Sequence, residues 1–266
     1  MITAKNYVAQ AQKGLINTLP NVSPRMAKPV ELICKLLGEA VHFVMPDSGK
    51  IMDDHFKGLN DLPLELPFSS FTIEFLALSK TGYKIKKVIF IDSDDEKIFV
   101  HTIHGEGENW FIVPAVAIVD KLKSFSVSDV LSCFHTRYMD CVSLQDNNYT
   151  ITLDTQVAGS MCNLFELLEA LSCRNVSTIN FQEASPANVK RVKSGKLPFY
   201  ETKMLVINSR TACHAKSDSS PQTHASPKQH LRRGHIRRLQ NGNIWVNSCV
   251  VGDPTKGIIN KQYLVV

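Results

Sequence analysis

Four arginines crowd into one short string near the carboxyl end, Arg232, Arg233, Arg237 and Arg238 in HLRRGHIRRLQ from His230 to Gln240. A guanidinium is a planar fork that meets a phosphate through two parallel hydrogen bonds and also stacks on a base, so this composition points to recognition of a polyanion. Read as one β-strand, the string puts Leu231, Arg233, His235, Arg237 and Leu239 on one face and Arg232, Gly234, Ile236 and Arg238 on the other. Charge on both faces suits an edge or ribbon that touches a phosphate backbone from both flanks, not a half-buried strand. Gly234 removes a side chain between the arginine pairs and admits a close backbone or ligand, or else marks a bulge. Trp245 and Tyr263, on the neighbouring runs, offer rings for stacking unpaired bases; the competing expectation is core packing against Leu231, Ile236 and Val246. A second basic cluster, Lys190, Arg191, Lys193 and Lys196 around Gly195, adds to the same expectation.

The same neighbourhood holds His224, His230 and His235. Metal-independent RNA cleavage needs a general base, a general acid and cations that stabilise a crowded phosphate, so an RNase-like activity is an alternative, with His235 as the best catalytic candidate. Histidine beside arginine serves plain phosphate contact equally well, and binding without catalysis is the preferred expectation. Zinc would want paired ligands at short spacing. Cys213-His214 with His224 and His230, and Cys133 with His135 and Cys141, lack a second Cys-x-x-Cys pair, so no metal site is expected. Asp92, Asp94, Asp95 and Glu96 spell no metal loop and read as a solvated turn, while His101 and His104 read as strand-end and turn residues. With no phosphate-binding glycine loop and no dinucleotide fingerprint, no cofactor is expected.

The charge distribution along the chain supports this focus. Residues 1–185 carry 16 Lys+Arg against 22 Asp+Glu, a net of −6, whereas residues 186–266 carry 14 against 3, a net of +11. An excess of that size repels itself unless it meets an anion, either an external polyanion or the acidic front of the same chain. The 266 residues, 44% hydrophobic and 21% charged, suffice for one large or two modest domains with an apolar core. No uncharged apolar run approaches the roughly 18 to 20 residues of a membrane helix, and the first residues lack a signal-peptide core, so an intracellular protein without a membrane partner is expected. Seven widely spaced cysteines, an odd number, argue for reduced thiols.

The elements that must position these residues divide into an acidic α+β domain, 1–185, and a basic region, 186–266. Lys28 to Met45 carries Leu32, Ile33, Leu36, Leu37, Ala40, Val41 and Val44 at three- and four-residue spacing, which predicts a helix with Pro29 in its first turn and an end near Pro46. Residues 46–67 read as a long connection. The period then changes to two: Ser70 to Ala77, Lys84 to Asp92, Lys97 to Ile103 and Asn109 to Val113 predict an antiparallel meander, with Pro114 ending the last strand. Asp120 to Met139 is expected to be helical, with Ser126 or Ser128 as a cap; Asn148 to Val157 reads as a strand and Met161 to Leu171 as a short helix. Phe199 to Ile207 reads as a strand and residues 208–227 as a linker. Finally, 230–240, 243–251 and 258–266 predict a small three-stranded antiparallel sheet, turned first at Asn241-Gly242.

The string HASPKQHLRRGHIRRLQNGNIWVNSCVVGDPTKGIINKQYLVV resembles the C-terminal end of a widespread group of uncharacterised bacteriophage and prophage proteins. EALSCRNV and KRVKSGKLPFY are similar to that group's middle segment, and LPFSSFTIEF with FVHTIHGEGENWFIVPAV to its first part, so the resemblance spans roughly residues 60–266. It implies a phage or prophage product acting in the cytoplasm of a bacterial host, and no particular activity. The combined expectation is a nucleic-acid-binding protein, with RNA or a ribonucleoprotein ahead of DNA. Its alternatives are a protein-interaction factor that modulates a host machine, and the RNase-like toxin.

Overall fold

The computed structural model describes residues 6–51, 65–78, 82–121, 133–183, 185–207, 228–232, 235–246, 249–251 and 253–258. The fold is α+β. Helices α1 (Tyr7–Thr18) and α2 (Pro24–Glu39) come first, followed by β1 (Val41–Val44). The expected helix therefore starts earlier and stops sooner than the spacing predicts: Pro24 supplies the pre-set first position, and Pro29 falls inside the helix. Val41 and Val44, which continue the helical stripe by spacing alone, belong to a strand whose backbone is paired on both sides.

The meander is β2 (Ser70–Leu78), β3 (Lys84–Ser93), β4 (Lys97–Glu106), β5 (Asn109–Asp120) and β6 (His135–Tyr138), all antiparallel. Strand β5 runs through Pro114. The proline is tolerated because the β4·β5 register slips between His101 and Ile103, a bulge at which a missing N–H breaks no ladder. The C-terminal part of the expected Asp120–Met139 helix is strand β6, and Ser126 and Ser128 lie outside the described residues. Together with β1, β7 (Val176–Gln182) and β8 (Thr202–Ile207), these strands form one eight-stranded sheet in the order β6-β5-β4-β3-β2-β1-β8-β7, with β1 parallel to both neighbours.

Helices cover both faces of this sheet. Val8, Ala11 and Leu15 of α1 and Val30, Ile33 and Leu37 of α2 bury against Val88, Phe90, Ile103 and Trp110. A fully buried side chain of this kind contributes about 1.5–3 kcal/mol. The opposite face carries Ile89, Ile91, Val100 and Thr102 and meets α3 (Asn147–Leu171), where the Thr102 and Ser160 hydroxyls bond at 2.7 Å. Asn148 to Val157, expected as a strand, is the first half of this helix. Its buried Leu153 and Val157 continue through Met161, Leu164, Phe165 and Leu168 at helical spacing, and the Thr152 and Thr155 hydroxyls donate back to the carbonyls of Asn148 and Ile151.

Helix α4 (Asn188–Lys193) lies between β7 and β8. Beyond it come β9 (Lys228–Arg232), β10 (His235–Leu239), β11 (Gly242–Val246), β12 (Cys249–Val251) and β13 (Asp253–Ile258). Among the described residues there are two small sheets, the antiparallel pair β10-β11 and the set β12-β9-β13, in which β13 runs parallel to β9, so the run 230–240 is divided between two sheets; the expected third strand, 258–266, lies outside the described residues beyond Ile258. The expected linker, 208–227, is outside the described residues. The chain forms two compact units, one drawn from Met1–Ile51, Phe56–Glu169 and Thr178–Leu205, the other including Ala170–Ser177 and Val206–Val266. Residues 186–205 thus belong with the first unit. Among the described residues no helix is long and apolar enough to cross a membrane.

Candidate nucleic-acid interface

The basic string is not a single strand: Arg232 pairs with Cys249 in one sheet, and His235 begins the next, pairing with Val246. Arg233 and Gly234 lie outside the described residues, as do Tyr263 and His224; of Arg232 and His230 the structure describes backbone pairing. The expected two-face alternation is described from His235 onward, and its earlier part, from His230 to Gly234, lies outside what the structure describes of side chains. In β10 and β11, His235 and Arg237 share a face with Val246 and Ile244, while Ile236 and Arg238 share the other with Trp245 and Asn243.

The hairpin turns one residue earlier than expected. Leu239 pairs with Gly242, so Gln240 and Asn241 are the loop. The left-handed step falls on Gly242, with φ at +113°, where a side chain would be strained. Arg237 and Arg238, on β10 just before the turn, are exposed on opposite faces.

A short segment after α3 holds the hairpin from below, and sequence reasoning missed it. The Asn175 side chain accepts from the Trp245 N–H and donates to the Trp245 carbonyl, both at 2.7 Å. Arg174 Nη1 donates to the Asn241 carbonyl at 3.0 Å, its N–H donates to the Asn243 carbonyl, and Asn243 Nδ2 donates to Ser172 Oγ. Trp245 is 6% exposed, so its ring anchors the hairpin and is not a stacking platform, which corrects that expectation in favour of core packing. Arg174, itself exposed, places a further cation against the hairpin turn. Its signal, an Arg-Asn pair after a helix, becomes legible only once its partners some 70 residues on are folded against it.

The second basic cluster sits on α4 and the turn after it. Lys190, Lys193 and Lys196 are exposed, whereas Arg191 is engaged within the fold: its Nε donates to the Leu197 carbonyl at 2.9 Å and its guanidinium lies 4.0 Å from the centroid of the Phe199 ring. Arg191 is therefore a structural residue, and the three lysines are the cluster's exposed charges.

The remaining chemical candidates have structural surroundings. Asp94 Oδ1 accepts from the N–H groups of Glu96 and Lys97, the closed turn expected at that hairpin tip. His104 is not a turn residue, because β4 runs on past it to Glu106; it and His101 both lie within the strand, where burial lowers each pKa to about 4, with the Lys87 charge adding to the effect at His104. His104 pairs across the strands with Lys87 and packs edge-on to Phe111. Cys133 is buried and Cys141 exposed. Among the described residues no three His, Cys, Asp or Glu side chains converge as a metal site would require. No family model matches the chain, and no curated protein or solved structure matches it.

Proposed function

We propose that the protein binds nucleic acid, RNA or a ribonucleoprotein ahead of DNA, through the arginine hairpin of its second unit, and that it acts as a phage or prophage product in a bacterial host. The observation that carries this reading is the presentation of Arg237 and Arg238 on opposite faces of a hairpin whose turn is bonded from beneath by Arg174. Arg237 forms no ion pair with any described carboxylate. Fixing the turn through Asn175 and Arg174 lowers the entropy lost when a backbone docks, which is how a small ribbon gains affinity from few contacts. A guanidinium on each face matches a strand of phosphates passing along the ribbon's edge.

The test is fluorescence anisotropy of a labelled single-stranded RNA, its DNA counterpart and a duplex, titrated with the full chain at several salt concentrations. The expected result is RNA binding whose logarithm falls linearly with the logarithm of salt, by about 0.7 for each phosphate contact on a single strand. Replacing Arg232, Arg233, Arg237 and Arg238 with alanine should remove it. Undiminished binding by the fourfold variant would overturn the reading.

A further inference from the structure

Helix α4 is built inside out. Three residues apart on a helix is a same-side relationship, so Val189 and Val192 share one stripe, with Lys190 and Lys193 about 100° round on one flank and Asn188 and Arg191 about 100° round on the other. In an ordinary surface helix the apolar side packs inward. Here the inward side is polar. Asn188 Nδ2 donates to the Phe199 carbonyl at 2.8 Å while its Oδ1 accepts from the Phe199 N–H at 2.9 Å, and Arg191 is held by the Leu197 carbonyl and the Phe199 ring. The outward side carries the aliphatic groups: Val189 is 68% exposed and Val192 58%, and no residue of the helix is buried.

This surface is held in place from behind. Lys13 of α1 donates to the Gly195 carbonyl at 3.2 Å, Asn6 Nδ2 to the Pro198 carbonyl at 3.2 Å, and the Tyr200 hydroxyl to Gln12 Oε1, while the Tyr200 ring packs 5.0 Å from that of His42. Residues 185–200 carry Lys190, Arg191, Lys193 and Lys196 and no Asp or Glu. A rigid patch that is cationic at its rim and aliphatic at its centre, with no acid of its own, complements one kind of chain: a segment in which Leu or Phe alternates with Asp or Glu.

We propose that the outward face of α4, Val189 and Val192 framed by Lys190, Lys193 and Lys196, is a docking surface for an acidic, apolar segment of a partner protein. Phosphate backbones select the lysines but gain nothing from the two valines, and an aliphatic centre is what separates a protein partner from a nucleic acid here. Each valine removed from water against a Leu or Phe side chain contributes by the hydrophobic effect, and the lysines steer approach and set orientation. The site lies in the first unit and does not depend on the hairpin's reading.

The experiment uses the full chain and labelled short peptides in which Leu and Phe alternate with Asp and Glu, beside two controls: the same peptides with Asn and Gln for the acids, and a plain poly-Glu peptide. The expected result is saturable binding of the acidic, apolar peptide. It should weaken about tenfold or more in Val189→Ser/Val192→Ser and in Lys190→Glu/Lys193→Glu, and hold in Arg237→Ala/Arg238→Ala. All six substitutions in these three variants fall on exposed side chains, and circular dichroism confirms that each variant folds. Four results would overturn the proposal: no binding by the native chain, no effect of the valine variant, equal binding of poly-Glu, or a single-stranded RNA whose binding falls with the lysine variant and is untouched by the valine one.

Discussion

The side-chain amide of Asn175 occupies both backbone hydrogen-bonding groups of Trp245, accepting at 2.7 Å and donating at 2.7 Å, as a neighbouring strand would. Both residues are buried, so Asn175→Ala strands an N–H and a carbonyl away from water as well as removing two bonds. The expected cost is about 2–3 kcal/mol, confined to the second unit. Hydrogen exchange checks it: the amides of His235 to Val246 should lose protection, while those of Ile89 and Ile91 in the sheet's centre keep theirs.

Trp110 lies against two glycines that leave it no spare room. A Cβ on Gly105 would stand 2.8 Å from the Trp110 benzene ring, and one on Gly14 of α1 would stand 2.5 Å from its Cδ1. The ring cannot swing away, because it is packed within the core formed by α1, α2 and the sheet. Gly105→Ala and Gly14→Ala should each destabilise by about 1–3 kcal/mol, the usual penalty of overpacking. Urea denaturation reads the loss, and in a Trp110→Leu background the cost of Gly105→Ala should shrink, since the clash is with the indole.

Acid should unfold the first unit well above the carboxylate range. Burial lowers the pKa of His42, His101 and His104 to about 4, opposed at His42 by the charge of Glu201. In the unfolded chain an imidazole takes up its proton near 6.5, so between 6.5 and 4 the unfolded state binds more protons than the folded one. Stability is therefore intact above about 6.5 and declines as pH falls towards 4, by at most about 3 kcal/mol for each imidazole. Urea midpoints at pH 7 and pH 5 should differ accordingly, and His101→Phe, which keeps an aromatic ring beside Phe90, should flatten the dependence. An unchanged midpoint across that window would contradict the burial of these rings.

How much of this was legible in the chain varies by residue. Strands β2 to β4 announce themselves by alternation between polar turns, because each has one edge of its pattern set locally. Val41 and Val44 do not: spacing continues the α2 stripe into them, and only their pairing with Phe71 and Glu74 makes them a strand. Tyr149, Ile151 and Leu153 alternate like a strand although Tyr149 and Ile151 are exposed on a helix, since what decides the matter is the sheet face that receives Leu153 and Val157. At the candidate interface the arginines and the turn region were legible as chemistry and composition. The Trp245 anchor and the Arg174 support were not, for both depend on contacts between segments far apart in sequence.

His235 separates a binding hairpin from a cleaving one. It shares a face with Arg237, two residues along β10, the placement a general base would need beside a cation that stabilises a phosphate in transition. On the binding reading, the imidazole is one contact among several cations, and His235→Ala should change RNA affinity by no more than about threefold, while Arg237→Ala/Arg238→Ala lowers the salt slope by about 1.4, two single-strand contacts' worth. No RNA should be cut by either protein during incubation with a chelator present. On the catalytic reading, the native chain cuts RNA in chelator, His235→Ala abolishes cutting and affinity is untouched, because a base acts on the reacting hydroxyl and not on the phosphate's charge. Gel analysis of the RNA after each binding titration decides between them: intact RNA with an arginine-dependent salt slope supports the binder, and native-only cleavage assigns the hairpin to an enzyme.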